Sequence, residues 1–224
     1  MPKLLPAFIA SAALAITTAL VWPGLWAPYA LLKTLTTLLV IAHAWRLGGQ
    51  GAPMRTPLLA GLVLSLVGDV ALLWPQQGFL PGLVAFLLAH LAYLVAFTRG
   101  LPGVRLGAWP LAFAGYAALA AVVLAVLWPG VPGPLRTPVV AYVLCLAAMA
   151  AQTASAWHAA RHSGYSADRR RLAGAALGGL LFLSSDALLA INRFHTPLPM
   201  ASLWILASYW AAQWLIASAL APRR

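Results

Sequence analysis

The chain has 224 residues, of which 63% are hydrophobic and only 8% are charged. A water-soluble core of this size does not require such a composition, so the sequence predicts a polytopic membrane protein. The formal charge of +11 at pH 7 would fit a nucleic-acid partner, but the arginines stand singly or in threes at the ends of apolar runs, which favours membrane topology and excludes nucleic acid.

Eight apolar segments follow one another along the chain, each near the roughly 20 residues that a spanning helix needs. Proline, glycine or arginine separates each segment from the next. Segment 1 is longer than the apolar part of a signal peptide, so we interpret it as a membrane span. The sequence therefore predicts an all-α bundle of eight transmembrane helices, a single domain over 1–224, with segments 1 to 8 at 4–22, 25–46, 56–74, 79–98, 108–128, 136–160, 172–192 and 198–221.

The positive charges divide unequally between the two sides of this alternation. Apart from Lys33, eleven lysines and arginines fall on the side of the chain termini, and only Arg136 and Arg193 fall on the other side. Because lysine and arginine concentrate in cytoplasmic loops, we expect both termini in the cytoplasm and the protein in the inner membrane of a bacterium. The opposite, outer boundary carries a belt of tryptophans, namely Trp22, Trp26, Trp74 and Trp128.

Segments 2 and 3 contain charged residues within apolar runs. Lys33 and Asp69 each lie one to two helical turns from the outer end of their segment, at about 1.5 Å per residue. A charge near the bilayer centre costs roughly 2.5–3.5 kcal/mol on insertion scales, so a carboxylate there indicates a functional site. Lys33 would neutralise a buried aspartate or hold a phosphate. The alternative is that it snorkels to the outer surface.

Segment 4 has aromatic and polar residues spaced by three or four positions and therefore on one helix face. On this face His90 and Tyr93 are either the polar tips of a cavity wall or part of a packing surface at which Gly82 admits a neighbouring helix. In segment 6 we interpret Tyr142, Cys145 and Met149 as a core stripe. One buried histidine and a single cysteine are too few for a metal site, so the sequence predicts no metal.

Segment 7 carries the second intramembrane aspartate, Asp186, which follows Ser185 at a depth matching that of Asp69. Asp168, by contrast, lies beside three arginines in a polar stretch and is expected to be solvated. The alternative to a functional role for the buried pair is an interhelical hydrogen bond, for example between Asp69 and Ser65. The matched depth of the two acids favours a common site.

Two more features lie at the outer side of the last segments. Arg193 ends segment 7, where we interpret it as a membrane-edge arginine, with anion binding as the alternative. Segment 8 offers Tyr209 and Gln213, which are four positions apart and so share a helix face.

The order and spacing of these short motifs resemble the YhhN family of integral membrane lysoplasmalogenases. One departure is Thr34, because the family often has proline after the lysine of segment 2. The matching positions are Lys33, 65–69, Phe79, Gly82, Phe86, His90, Tyr93, Phe97, Tyr142, Met149, 178–182, Ser185, Asp186, Phe194 and 209–213.

The resemblance implies an enzyme that hydrolyses the vinyl ether of lysoplasmalogens to a fatty aldehyde and glycerophosphoethanolamine or glycerophosphocholine, with no cofactor. In this reaction protonation of the β-carbon forms an oxocarbenium ion, water adds, and the hemiacetal collapses to aldehyde and alcohol. Asp69 and Asp186 would then be the catalytic pair, as in glycosidases, without an assignment of acid and base. The implied substrate-binding residues are Lys33, His90, Tyr93, Ser185, Tyr209 and Gln213.

Three other classes of protein share parts of this pattern. A proton-coupled transporter is the main alternative, because buried Asp, Lys and His also form proton relays, but proline and glycine fall mostly between the segments and indicate no broken helix. An intramembrane aspartyl protease would need glycine in place of Leu66 and tyrosine in place of Ser185. A structural or lipid-binding membrane protein is the third. The sequence does not predict the oligomeric state.

Overall fold

A computed structural model describes residues 4–47, 52–101, 104–161 and 166–220. Lys3, Arg223, Arg224 and the predicted end of segment 8 at residue 221 lie outside these ranges. Within them the chain is helical, with no strand, which confirms the predicted all-α class. The helices are α1 (Leu4–Val21), α2 (Trp26–Arg46), α3 (Arg55–Ala71), α4 (Phe79–Arg99), α5 (Pro110–Leu127), a short 3-10 turn (Trp128–Gly130), α6 (Gly133–Arg161), α7 (Ser166–Phe194) and α8 (Ala201–Ala217).

The predicted helix ends agree within three residues except at two places. Helix α7 begins at Ser166, six residues before the predicted start of segment 7. Its first turns are rich in arginine, so the apolar pattern on which the prediction rests does not include them. Helix α8 ends at Ala217. The hydroxyl of the next residue, Ser218, donates a hydrogen bond to the Trp214 carbonyl in the last turn, at 2.7 Å. Helix α3 ends at Ala71, since Pro75 disfavours helical backbone before it, so Asp69 lies in the last turn of α3.

The helices have the length and composition of membrane spans. Six of them, α1, α2, α4, α5, α6 and α7, have at least 18 residues and are apolar enough to cross a bilayer. Helices α3 and α8 have 17 residues each, the lower limit of the range of about 17–25 for spanning helices. Large apolar side chains are exposed on the outside, among them Leu31, Leu111 and Val122. The chain is therefore a multi-pass membrane protein.

The loops gather at two ends of the bundle, as the predicted alternation requires. At one end the Trp26 Nε1 donates to the Leu73 carbonyl at 3.3 Å, and the Arg193 Nη1 donates to the Pro75 carbonyl at 3.0 Å. We call this the arginine-poor end. The opposite, arginine-rich end carries Arg46, Arg55, Arg99, Arg105, Arg161 and 169–171.

Six helices form a closed ring. Helices α2, α3, α4, α6, α7 and α8 contact one another in that order, and α8 returns to α2. Helix α1 packs outside the ring against α2 and α8, whereas α5 packs outside it mainly against α6. Every polar residue predicted for the site belongs to a ring helix.

Glycines on α3 allow the ring to close tightly against α4. A Cβ atom at Gly61 would overlap the ring of Tyr93, and one at Gly68 would overlap the ring of Phe86. Gly82 on α4 approaches the Gly68 carbonyl in the same interface, in agreement with the alternative in which this face packs against a neighbouring helix. The α3 glycines thus position two aromatic residues of α4.

We expect Gly61→Val to lower the free energy of unfolding by about 1–3 kcal/mol, because the added side chain has to displace the Tyr93 ring. Thermal unfolding in detergent measures this. Gly115→Val is the matched control, since a Cβ at Gly115 has open space. Equal melting temperatures for the two variants would contradict the tight α3–α4 contact.

Candidate functional site

Asp69 reaches the interior of the ring and is surrounded by donors. It is 2% exposed. Its Oδ2 accepts hydrogen bonds from the Thr37 hydroxyl and from the Tyr209 hydroxyl, both at 2.7 Å. The Lys33 ammonium lies 3.4 Å from Oδ1. Three donors and no acceptor are what an ionised carboxylate requires.

Lys33 does not snorkel to the surface, because its side chain is buried against α3. In addition to the ion pair, its Nζ donates to the Asp69 backbone carbonyl at 3.0 Å. Carbonyls in the last turn of a helix have no partner within the helix and carry partial negative charge. Lys33 therefore caps α3 and neutralises Asp69 at once.

A buried chain of hydrogen bonds supports Tyr209 from behind. The Tyr93 hydroxyl donates to Gln213 Oε1 at 2.7 Å, and Gln213 Nε2 donates to the Tyr209 hydroxyl at 3.2 Å. Ser65 Oγ lies 3.3 Å from the Tyr93 hydroxyl, so it pairs with Tyr93 and not with Asp69. The chain fixes the direction in which Tyr209 donates, which is towards Asp69.

Asp186 belongs to a separate cluster formed by α4, α6 and α7. The Tyr142 hydroxyl donates to Asp186 Oδ2. His90 Nε2 lies 3.0 Å from the Tyr142 hydroxyl and 3.7 Å from Asp186 Oδ2. Because Tyr142 gives its only proton to Asp186, His90 Nε2 is the donor to Tyr142. The arrangement is a short relay from His90 through Tyr142 to Asp186.

The interpretation of Tyr142 as a core residue was wrong. Its ring is packed among apolar neighbours, but its hydroxyl holds a carboxylate of the site. One signal was available in the sequence: Tyr142 lies six residues into segment 6, at a depth comparable to that of Asp186 on the neighbouring segment. A tyrosine hydroxyl buried at that depth needs a partner.

The hydroxyl of Ser185, a residue expected to bind substrate, is engaged by a neighbouring helix. Its hydroxyl donates to the Ile205 carbonyl of α8 at 2.9 Å. The bond ties α7 to α8 immediately beside Asp186, so Ser185 positions the carboxylate. Asp168, at the arginine-rich end, pairs with Arg171 and is about half exposed, in agreement with the prediction.

One cavity of about 390 Å³ joins the two clusters. Asp69 and Asp186 both line it, together with Lys33, Ser185 and Tyr209. His90, Tyr93 and Gln213 do not line the cavity and lie behind it, connected through Tyr142 and Tyr209. A volume of this size is typical of small-molecule sites. The structure thus brings the predicted residues together in two layers.

The remainder of the cavity wall is mostly apolar and reaches the arginine-poor end, where Asn192 and Arg193 also line it. Phe86 packs edge-to-face against Tyr209 and Phe182, at ring-centroid distances of 5.8 and 6.3 Å. Among the described residues no three His, Cys, Asp or Glu side chains come together. The apolar lining includes Leu83, Ala120, Val123, Leu127, Val139, Val143, Leu146, Leu183 and Leu206. Such a cavity suits an amphiphile with one hydrocarbon chain.

Comparison with known proteins gives relatives over most of the chain. The model of the YhhN family matches residues 29–220. Human "Lysoplasmalogenase TMEM86B" is 37% identical over 188 residues, covering 84% of this chain and 73% of its own length. Bovine "Lysoplasmalogenase TMEM86A" is 31% identical over 232 aligned positions, which cover 96% of this chain and 87% of the relative.

A bacterial relative covers a smaller part. "Uncharacterized membrane protein YhhN" of Escherichia coli O157:H7 is 36% identical over 100 residues, which cover 43% of this chain and 44% of the relative. No solved structure is significantly similar to the chain.

Proposed function

The chain belongs to the YhhN family, and we propose that it is a lysoplasmalogenase, an enzyme that hydrolyses the vinyl ether of lysoplasmalogens to a fatty aldehyde and a glycerophospho-alcohol. The observation that carries this proposal is that Asp69 and Asp186, from different helices, line one sheltered cavity. The relatives over most of the chain are named lysoplasmalogenases, which supports the same reaction. The reaction needs one acid, one carboxylate and one water, and no cofactor.

Asp186 is the group that we assign as the general acid. Its Oδ2 is occupied by Tyr142, whereas its Oδ1 accepts no hydrogen bond from the described residues. The side chain is 14% exposed and borders the cavity. A proton on Oδ1 therefore faces the position of the substrate. Its transfer to the β-carbon of the vinyl ether forms the oxocarbenium ion.

Asp69 is the group that we assign as the stabilising carboxylate. Lys33, Thr37 and Tyr209 keep it ionised and fixed, and a fixed negative charge in a water-poor cavity stabilises a developing cation. It also orients the water that attacks the cation. The proton released by that water replaces the one given by Asp186, and the hemiacetal then passes its hydroxyl proton to the glycerol oxygen as the carbon–oxygen bond breaks.

The substrate enters with its chain along the apolar wall. Helices α5, α6 and α7 provide that wall, through Ala120, Leu146 and Leu183 among others. A cavity of about 390 Å³ holds the glycerol and the first part of the chain, and the remainder lies among the exposed apolar side chains of the bundle. A single-chain lipid dissolved in the bilayer therefore reaches the carboxyl groups without a soluble carrier.

The charges also support a location for the protein. We place it in the inner membrane of a bacterium. Both termini lie in the cytoplasm in this proposal, because most of the described arginines gather at the end of the bundle next to the chain termini, and only Arg136 and Arg193 lie at the other end. The cavity then faces the outer half of the membrane.

The test is hydrolysis of a lysoplasmalogen by the purified protein in D2O. We expect an aldehyde with one deuterium on the carbon next to the carbonyl, because the acid gives a solvent-derived proton to the β-carbon. Mass spectrometry of the trapped aldehyde measures it. The saturated alkyl ether analogue is the control and should release nothing, since it has no double bond to protonate. Gradient-driven uptake into proteoliposomes without aldehyde would instead show a transporter.

A further inference from the structure

One cation at the arginine-poor end borders the cavity and has no role in the steps above. Arg193 lies in the last turn of α7 and lines the cavity. Its guanidinium carbon lies 3.8 Å from the centre of the Phe79 ring, and its Nη1 donates to the Pro75 carbonyl at 3.0 Å. These two contacts fix the guanidinium plane. Its Nε and Nη2 make no hydrogen bond to the described residues and are open to a ligand.

The two other cations in this part of the bundle are either engaged by Asp69 or lie away from the cavity. The Lys33 ammonium is engaged by both the side chain and the backbone carbonyl of Asp69. Arg136, also at the arginine-poor end, stacks on Trp128 at 4.8 Å and donates to the Val131 carbonyl. It does not line the cavity. Arg193 is thus the cation that a negatively charged substrate group meets at the cavity mouth.

The register of α7 relates this arginine to the general acid. Arg193 follows Asp186 by seven positions, so the two residues share a helix face and are separated by about 10 Å along the axis. Both side chains lean towards the N-terminus of the helix, and the longer arginine side chain extends further in that direction, which brings the guanidinium closer to the level of Asp186. In a lysoplasmalogen seven bonds connect phosphorus to the vinyl β-carbon, a span of roughly 8–9 Å when extended. The two separations are of the same order, so one extended substrate molecule can contact both side chains.

We propose that Arg193 binds the phosphodiester of the substrate and thereby places the vinyl ether at Asp186. This inference rests on the proposed lysoplasmalogen hydrolysis and identifies its headgroup site. The guanidinium suits this ligand because its planar fork donates two hydrogen bonds to phosphate oxygens. An alkenylglycerol, which lacks the phosphate, has no such anchor and is a poorer substrate.

The kinetic test compares Arg193→Gln with the matched control Arg136→Gln. Each is measured with an alkenyl-glycerophosphoethanolamine and with the corresponding alkenylglycerol. The ratio of kcat/KM for the two substrates should fall about 10- to 100-fold in Arg193→Gln, mainly through KM, because one charge-assisted contact is lost. It should stay at the wild-type value in Arg136→Gln. An unchanged ratio in Arg193→Gln would overturn the proposal.

A binding test separates this proposal from the reaction itself. The probe is a saturated alkyl-ether lysophospholipid, which binds without being hydrolysed, and the readout is the rise in melting temperature in detergent. We expect the rise in the wild type and Arg136→Gln and its loss in Arg193→Gln. If the wild type releases no aldehyde but this pattern holds, the phosphate site stands and the proposed hydrolysis fails. Equal, Arg193-dependent stabilisation by a diacyl phospholipid or by inorganic phosphate would overturn the substrate assignment.

Discussion

Asp186→Asn lowers kcat for lysoplasmalogen hydrolysis by about 10²- to 10⁴-fold, the range that a positioned general acid contributes. Asparagine has the same shape as the carboxyl group and still accepts the hydrogen bond from Tyr142 through its side-chain oxygen. It has no acidic proton to give to the β-carbon. The effect should therefore appear in kcat, with the melting temperature near the wild-type value. Initial rates of aldehyde release from a lysoplasmalogen in detergent measure it.

Asp168→Asn is the matched control, since Asp168 is a half-exposed carboxylate on the same helix but at the arginine-rich end. Its activity should equal that of the wild type. If Asp186→Asn folds normally and retains more than about one tenth of wild-type kcat, Asp186 is not the proton donor.

Lys33→Met lowers the free energy of unfolding by about 3–5 kcal/mol, because it leaves the buried carboxylate of Asp69 without its counter-charge. It also leaves the last turn of α3 without its cap. Asp69→Asn alone is destabilising for the converse reason, since Lys33 then keeps an unpaired charge. Denaturation of each purified variant in mixed micelles gives the free energies.

The double variant distinguishes an ion pair from two independent contacts. Lys33→Met combined with Asp69→Asn removes both charges, so we expect it to lose less stability than the sum of the single variants. Simple additivity would show that the two side chains do not depend on each other. The double variant should remain inactive in either case, because the stabilising carboxylate is gone.

The helices and the depth of the charged residues could be predicted from the sequence, because both follow from hydrophobicity along one dimension. Lys33, Asp69 and Asp186 are conspicuous in apolar runs, since a charged side chain is costly in the bilayer and is therefore rare there without a functional role. Which of them pair could not be predicted. Pairing depends on the rotation of each helix about its axis, and that is set by contacts such as those of Gly61 and Gly68 with the rings of α4.

Residues that are neutral and partly apolar gave the weakest signal. Tyr142 costs little in an apolar run, so nothing in the hydropathy pattern separates it from a core residue. Tyr93 and Gln213 were found by their spacing, but the spacing did not reveal that they act through Tyr209 and not on the cavity itself. The order of layers around a site is a property of three-dimensional packing, which a single sequence does not display.

The two shortest helices of the ring, α3 and α8, contribute Asp69 and Tyr209. A helix of 17 residues rises about 25 Å, less than the hydrocarbon thickness of about 30 Å, so the bilayer thins or the polar boundary dips where these helices lie. Hydrolysis consumes water, which the hydrocarbon interior of a membrane excludes. With short helices on one side of the cavity and long ones on the other, the cavity can take up the hydrocarbon chain of a lipid from one side and water from the other.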